Sequence, residues 1–313
     1  MPPLCGLNRR RQSVGPELII AGRRIADDEP AYVIAEIGGN HGGDVVVAAQ
    51  MVREAARCGA DAAKFQKRTN DTLYTQALLD APYENENSYG RTYGEHRAAL
   101  ELTGDALQAL VPVAAESGCT LFSTVFDERS ADSLADFVPA FKIHSGGLTD
   151  LPLLRYVAQF GKPVILSTGG GTFADIDRAV ETLGTCPHAI LHCTASYPLK
   201  PEEANLRCIL EMRRRYPQTV IGFSSHSPGI AFSLVAYAFG ARIIEQHFTL
   251  NRASKGTDHS FSLEPKALAT LVEDLEKCRQ ALGSGLKVVY DSERKPIAKM
   301  RRVETPEGYR IAG

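Results

Sequence analysis

Short apolar, β-branched runs recur along the chain, each ending in a polar cluster: YVIAEIG (32–38), DAAKFQ (61–66), CTLFSTVF (119–126), AFKIHSG (140–146), PVILSTG (163–169), AILHCTASYP (189–198), VIGFSSHS (220–227) and ARIIEQHFT (241–249). Near-continuous apolar runs, as opposed to alternating ones, are the pattern of parallel strands covered on both faces. Between them lie stretches with apolar residues at helical spacing. VVVAAQMVREAARCGA (45–60) stops around Gly59, and GDALQALVPVAAESG (104–118) starts at an Asp105 cap and carries Pro112, a residue that bends helices. LPLLRYVAQFG, FADIDRAVETLG, EEANLRCILEMRRRY, GIAFSLVAYAFG and PKALATLVEDLEKCRQALG continue the alternation. The pattern predicts an α/β fold, a (β/α)8 TIM barrel. A doubly wound open sheet is the alternative, but no G-x-G-x-x-G follows the first strand to support it.

Two segments interrupt the rhythm. ELIIAGRRIADDEP (17–30) reads as a small hairpin before the first barrel strand, suited to plugging the barrel floor. The stretch 67–103, with Tyr74, Tyr83, Tyr89 and Tyr93, separates the second strand from its helix. Long connections in compact domains tend to be functional, so this one is expected at the rim of an active site. The organisation expected is therefore a flexible arm at 1–16, a barrel over 17–290 and a tail at 291–313.

Composition narrows the function. The 313 residues carry 35 Lys and Arg against 37 Asp and Glu, a net charge of −2, which argues against nucleic acid or an anionic membrane as the main partner. No apolar run reaches the ~18 residues of a membrane span. The N-terminal MPPLCGLNRRRQSVGPE has no apolar centre behind its basic cluster and does not read as a secretory signal. Seven cysteines, an odd number with no C-x-x-C pair, read as reduced thiols of a cytoplasmic protein.

In such barrels the strand C-termini face the site, and here those ends are polar: Glu36 and Asn40; Lys64 and Gln66; Ser123 and Thr124; Lys142, His144 and Ser145; Ser167 and Thr168; His192, Thr194 and Tyr197; Ser224 and His226; Glu245, Gln246 and His247. An unpaired buried charge costs several kcal/mol, so eight strands ending this way together point to a ligand. Lys64 and Lys142 each interrupt an apolar run and would repel one another unless an anion lay between them; phosphate or carboxylate suits that place. Ion pairing with Glu36 or Glu245 is the alternative. The glycine turns after Ser145 and Thr168 bring hydroxyls and backbone N–H groups to the same region. His226 and His247 close two adjacent strands and suit an open divalent-metal site, although His41, His144, His192 and His259 compete for that role.

The motifs AEIGGNHGG (35–43), DAAKFQ (61–66), FSTVFD (122–127), FKIHSGG (141–147), PVILSTGG (163–170), LHCTASYPLKPEEANL (191–206), GFSSHSPGI (222–230), GARIIEQHFTL (240–250) and GTDHSFSL (256–263) together resemble the sialic acid synthase family, from about residue 17 to about 302. The resemblance implies a TIM barrel that condenses phosphoenolpyruvate with an open-chain sugar aldehyde, releasing phosphate and leaving a 2-keto acid. It implies that Lys64, Lys142, Ser145 and Ser167 hold phosphoenolpyruvate, with Tyr197 lining the same pocket. It further implies that His226 and His247 bind Mn2+ (or Mg2+ or Co2+), that Glu36 is the acid/base, and that Asp258 contacts acceptor hydroxyls. Asn40, Gln66, Thr168 and Ser224 are the remaining candidate substrate contacts.

The sequence departs from the family pattern at two motif positions: Ser225 replaces the acidic neighbour of the metal histidine, and Gly147 replaces a glutamate. The family resemblance implies an antifreeze-like C-terminal domain that supplies an arginine to the partner's sugar site, and with the sequence reading KMRRVETPEGYRIAG at its end the expectation is a synthase without it. The family implies a homodimer, for which the expected lack of that domain weakens the reason. The expectation is a synthase acting on an aldehyde other than N-acetylmannosamine, in a specialised sugar, nucleoside or natural-product pathway. The competing readings are a Schiff-base aldolase using Lys64 or Lys142, and a non-catalytic barrel that binds a ligand or partner.

Overall fold

The computed structural model describes residues 15–311; the arm expected at 1–16 lies almost wholly outside the described residues. A hairpin, β1 (Glu17–Ile20) and β2 (Arg23–Ala26), opens the described chain. Eight parallel strands follow: β3 (Tyr32–Gly38), β4 (Ala62–Lys67), β5 (Thr120–Val125), β6 (Phe141–Ile143), β7 (Val164–Ser167), β8 (His188–Cys193), β9 (Val220–Ser225) and β10 (Ile243–His247). They pair in sequence order, and β10 returns to β3 to close the barrel, as the pattern of apolar runs predicts.

The outer layer contains α1 (Val45–Arg57), α2 (Asn70–Leu73), α3 (Gln76–Leu79), α4 (Tyr93–Leu100), α5 (Gly104–Glu116), α6 (Glu128–Leu134), α7 (Leu151–Ala158), α8 (Phe173–Leu183), α9 (Cys208–Arg215), α10 (Ala231–Ala238) and α11 (Pro265–Leu282). Pro112 sits inside α5 without ending it. α6 is absent from the periodicity reading because ERSADSL is mostly polar; the Asp127 carboxylate caps it by accepting from Ser130 N–H. α9 starts at Cys208, later than the apolar spacing suggests, because 201–203 form a separate 3₁₀ turn and Asn205 takes a positive φ of 38°. β6 is cut to three residues because His144 caps a 3₁₀ turn at Ser145–Thr149.

The core lies inside the barrel and between barrel and helices, built from β-strand residues such as Ile34, Phe65, Phe122, Ile165, Ile190 and Phe223 and from helix residues such as Met51, Leu107, Leu154 and Leu271. The hairpin buries Leu18, Ile20 and Ile25 against this core. Asp27 accepts from both Nη atoms of Arg213 (2.9 and 2.8 Å) and from Arg242 Nε (3.1 Å), and Arg23 Nε lies 3.6 Å from Asp61. Arg242 and Asp61 immediately precede β10 and β4, so the hairpin covers the strand N-termini, the end away from the polar clusters.

The 67–103 stretch folds into α2, α3 and α4 instead of a bare loop. Tyr74, Tyr83, Tyr93 and His96 stack into a small aromatic core there, with the Tyr83 and His96 ring centroids 4.4 Å apart. Tyr89 Oη donates to Lys255 O (2.6 Å) and Gly256 N donates to Asn87 Oδ1 (3.0 Å), tying the insert to the loop after β10.

From Arg279 the chain forms a second compact unit. It contains α12 (Asp291–Met300) and an antiparallel hairpin, β11 (Arg302–Thr305) with β12 (Gly308–Ile311), where the sequence reading had an undifferentiated tail.

Candidate active site

The strand C-termini enclose a cavity of about 450 Å³, within the range of small-ligand pockets. Its lining includes Glu36, Lys64, Gln66, Lys142, Ser145, Ser167, Tyr197, Ser224, His226, His247 and Asp258, eleven residues singled out from sequence. Asn40 and Thr168 turn elsewhere. Asn40 Nδ2 donates to Phe248 O (2.9 Å) and Ser262 Oγ (3.0 Å), and Thr168 Oγ1 donates to Leu191 O (2.9 Å), so both stitch neighbouring segments together.

Four buried charges form the floor. Lys64 Nζ lies 2.5 Å from Glu36 Oε2 and 3.7 Å from Glu245 Oε2, and donates to Thr124 Oγ1 at 2.8 Å. Lys142 Nζ lies 3.8 Å from Glu245 Oε1 and donates to Ser167 Oγ (2.6 Å) and Ile143 O (3.0 Å). The ion pairs with Glu36 and Glu245 considered from sequence are thus both present. Each carboxylate is shared or held by other donors: Gln66 Nε2 donates to Glu36 Oε1 (2.7 Å) and Ser224 Oγ to Glu245 Oε1 (2.8 Å). Burial pushes the Glu245 carboxyl up, but Lys142, Lys64 and Ser224 outweigh it and hold it at about 2. Burial lowers the Lys142 ammonium below its usual range; Glu245 opposes this and Lys64 adds to it.

Beside Lys142, Gly169 N donates to Ser145 Oγ at 3.0 Å. A Cβ at 169 would lie 2.7 Å from that oxygen and 2.9 Å from Ala195 N, so glycine is required for this close approach. The small residues and two ammonium groups make a cradle for an anion.

Across the cavity, the His226 and His247 rings lie 5.4 Å apart. His226 Nδ1 donates to Thr194 O (2.9 Å), which leaves Nε2 with a free lone pair. Burial first, then His247, lowers His226 to about 4, so its imidazole is neutral near pH 7. His247 Nδ1 is buried without a hydrogen bond, 3.7 Å from Asp258 Oδ2. The two imidazoles, each with a ring nitrogen to spare, fit a divalent ion as a pair. Among the described residues no group of three or more His, Cys, Asp or Glu is arranged to hold one, so water or substrate oxygens would complete the coordination sphere.

Some lining residues escaped sequence reasoning. Arg68 and Phe126 directly follow the ends of β4 and β5, and Arg97 reaches the cavity on α4. Arg68 stacks its guanidinium 3.8 Å above the Phe126 ring, and His144 packs on the same ring at 4.1 Å. Burial, then Lys142 and Arg68, lower His144 to about 3. Glu245, although visible as a polar strand end, shows its role only once two lysines are seen on either side of it. The replaced acidic position, Ser225, faces away from the cavity and its Oγ contacts Ser227 Oγ at 2.9 Å.

A family model described as the NeuB family matches residues 51–287. The chain is 41% identical over 276 residues to the N-acetylneuraminate-9-phosphate synthase of Mus musculus, covering 87% of this chain and 77% of that one. It is 35% identical over 279 residues to the N,N'-diacetyllegionaminic acid synthase of Campylobacter jejuni, covering 86% and 83%. Among solved structures, the N-acetylneuraminic acid synthetase of Leptospira borgpetersenii in complex with citrate superposes with a TM-score of 0.77 at 34% identity, covering 90% of this chain and 95% of that one.

Proposed function

The chain belongs to the NeuB family, and on that footing we propose that it condenses phosphoenolpyruvate with a sugar-like aldehyde to give a 2-keto acid and inorganic phosphate. The pathway is carbohydrate biosynthesis, of a specialised sugar, nucleoside or natural product. The observation that carries the reading is the pair of buried lysines on the cavity floor, set among hydroxyls and facing the two imidazoles of His226 and His247.

Lys64 and Lys142 hold the phosphate and carboxylate of the donor, helped by Ser145, Ser167 and Thr124. Their charges are already partly balanced by Glu36 and Glu245, which spares the fold the full penalty of two uncompensated ammonium groups. Gln66 and Asp258 orient the acceptor hydroxyls. C3 of the enolpyruvate attacks the aldehyde carbon, water adds at C2, and the C2–O bond to phosphate breaks. Glu36 passes one of the water's two protons to the alkoxide left on the acceptor, and the other leaves with the departing phosphate as the C2 carbonyl forms, so that charge and atoms balance. His226 and His247 are the residues that would hold Mn2+ or a similar ion, which when bound supplies Lewis-acid polarisation of the aldehyde.

The experiment is a phosphate-release assay with phosphoenolpyruvate and a panel of open-chain sugars. The expected result is one phosphate and one 2-keto acid per aldehyde consumed, with activity lost on chelation and restored by Mn2+. Phosphate release that ignores the aldehyde, or none with any sugar, would overturn the proposal.

A further inference from the structure

His144 directly follows β6, lines the cavity beside Lys142 and Ser145, and has no part in the condensation proposed above. Three neighbours pin its ring. Nδ1 accepts from Gly146 N at 3.1 Å, which caps the 3₁₀ turn Ser145–Thr149. The ring stacks on Phe126, with centroids 4.1 Å apart and planes 25° from parallel. A Cβ on Gly146 would lie 2.7 Å from His144 Cε1, so the imidazole fills space that glycine leaves.

A ring held this way has one neutral form. Nδ1 uses its lone pair on the Gly146 N–H, so the proton sits on Nε2. Burial, then Lys142, Arg68 and Lys64, disfavour the charged ring, so it stays neutral near pH 7. Those three neighbours are all cations, which places His144 on the anion side of the cavity. Its Nε2–H has no acceptor among the described residues.

The floor has need of such a donor. An ammonium group has three N–H bonds. Those of Lys142 face Ser167 Oγ, Ile143 O and Glu245, and those of Lys64 face Glu36, Thr124 Oγ1 and Glu245. A phosphate monoester brings three strong acceptor oxygens to N–H groups that already have partners. A neutral imidazole supplies one more N–H without adding another positive charge beside the two lysines.

On the footing of that condensation, we infer that His144 is a phosphate-binding residue, its Nε2–H donating to a phosphate oxygen of phosphoenolpyruvate and of the inorganic phosphate that leaves.

The test is titration calorimetry with phosphoenolpyruvate, and with inorganic phosphate as competitor, on the unmodified protein, His144→Asn and His144→Gln. Asparagine keeps an oxygen that can cap the turn but has no N–H at the position of Nε2; glutamine carries an amide N–H farther out and gives up the cap. His144→Asn should leave the unliganded unfolding midpoint nearly unchanged and weaken both ligands about tenfold or more, the effect of one hydrogen bond to a charged group. His144→Gln should lower that midpoint yet bind both ligands more tightly than His144→Asn. The reverse order of affinities, or unchanged affinity in His144→Asn, would overturn the inference and leave His144 as a cap alone. Weaker phosphoenolpyruvate with unchanged inorganic phosphate would also overturn it, by placing the imidazole on the carboxylate. Absence of any phosphoenolpyruvate binding to the unmodified protein would instead sink the condensation reading itself.

Discussion

At the residue scale, Glu245 governs the floor because it faces both lysines at 3.7 and 3.8 Å and is itself almost completely buried. Glu245→Gln should cost about 3 kcal/mol, the usual penalty for breaking a buried pair from one side. It leaves two ammonium groups without that carboxylate, so an anion should then bind more favourably. Thermal unfolding should show a lower midpoint without ligand and a larger rise with phosphoenolpyruvate than in the unmodified protein; a smaller rise would contradict the arrangement. Lys142 has a lowered pKa, which on its own suits Schiff-base chemistry, yet its Nζ is spent on Ser167 Oγ and Ile143 O. Borohydride treatment with pyruvate should leave the chain mass unchanged; a stable adduct on Lys142 would favour the aldolase alternative. The histidines give a pH prediction with a definite sign. His41, like His226, is held at about 4, mainly by burial. Below pH 6.5 the unfolded chain gains protons that the folded one refuses, so stability falls as pH drops from about 6.5 toward 4. His41 alone should cost about 2 kcal/mol by pH 5, measurable as a steady decline in urea midpoint between pH 7 and 5.

At the element scale, the barrel strands and most of the helices were legible because burial on both faces writes continuous apolar runs, and charges interrupting those runs stand out. Lys64 and Lys142 were found that way, and Glu36 and the two metal-candidate histidines as polar strand ends. α6 and the three helices of the insert were not legible, since they depend on caps and local aromatic packing more than on periodicity. The insert illustrates this: α4 has a reciprocal cap, with Thr92 Oγ1 accepting from Glu95 N (3.1 Å) and Glu95 Oε2 accepting from Thr92 N (3.3 Å). Thr92→Ala should cost about 1 kcal/mol locally. Hydrogen exchange should quicken over 92–100 while the amides of β3 to β10 keep their protection; uniform loss across the barrel would show that the insert is not a separate stability unit. Arg68 and Arg97 stayed hidden from sequence reasoning for the same reason. Arg68 stands one residue past the last residue of β4, and Arg97 arrives on α4, whose path only the fold reveals.

At the scale of the whole molecule, closing β10 onto β3 is what turns eight weak signals into one site. His247 pairs in register with Glu36, and Glu245 with both Ile34 and Ser224, so Glu36, His247 and the floor carboxylate Glu245 are adjacent because the sheet is closed. The hairpin braced through Asp27, Arg213 and Arg242 covers the opposite end, leaving the C-terminal face for chemistry. The central claim is that this closed floor is a phosphoenolpyruvate site. It is tested most directly by thermal unfolding of chelator-stripped protein with and without phosphoenolpyruvate and Mn2+, on the unmodified chain and on Lys142→Ala. A ligand at 100 times its dissociation constant adds about 2.7 kcal/mol, a rise of several degrees for a protein of this size. The account predicts that rise with phosphoenolpyruvate and its loss in Lys142→Ala; a midpoint that ignores phosphoenolpyruvate, with or without the metal, would contradict it.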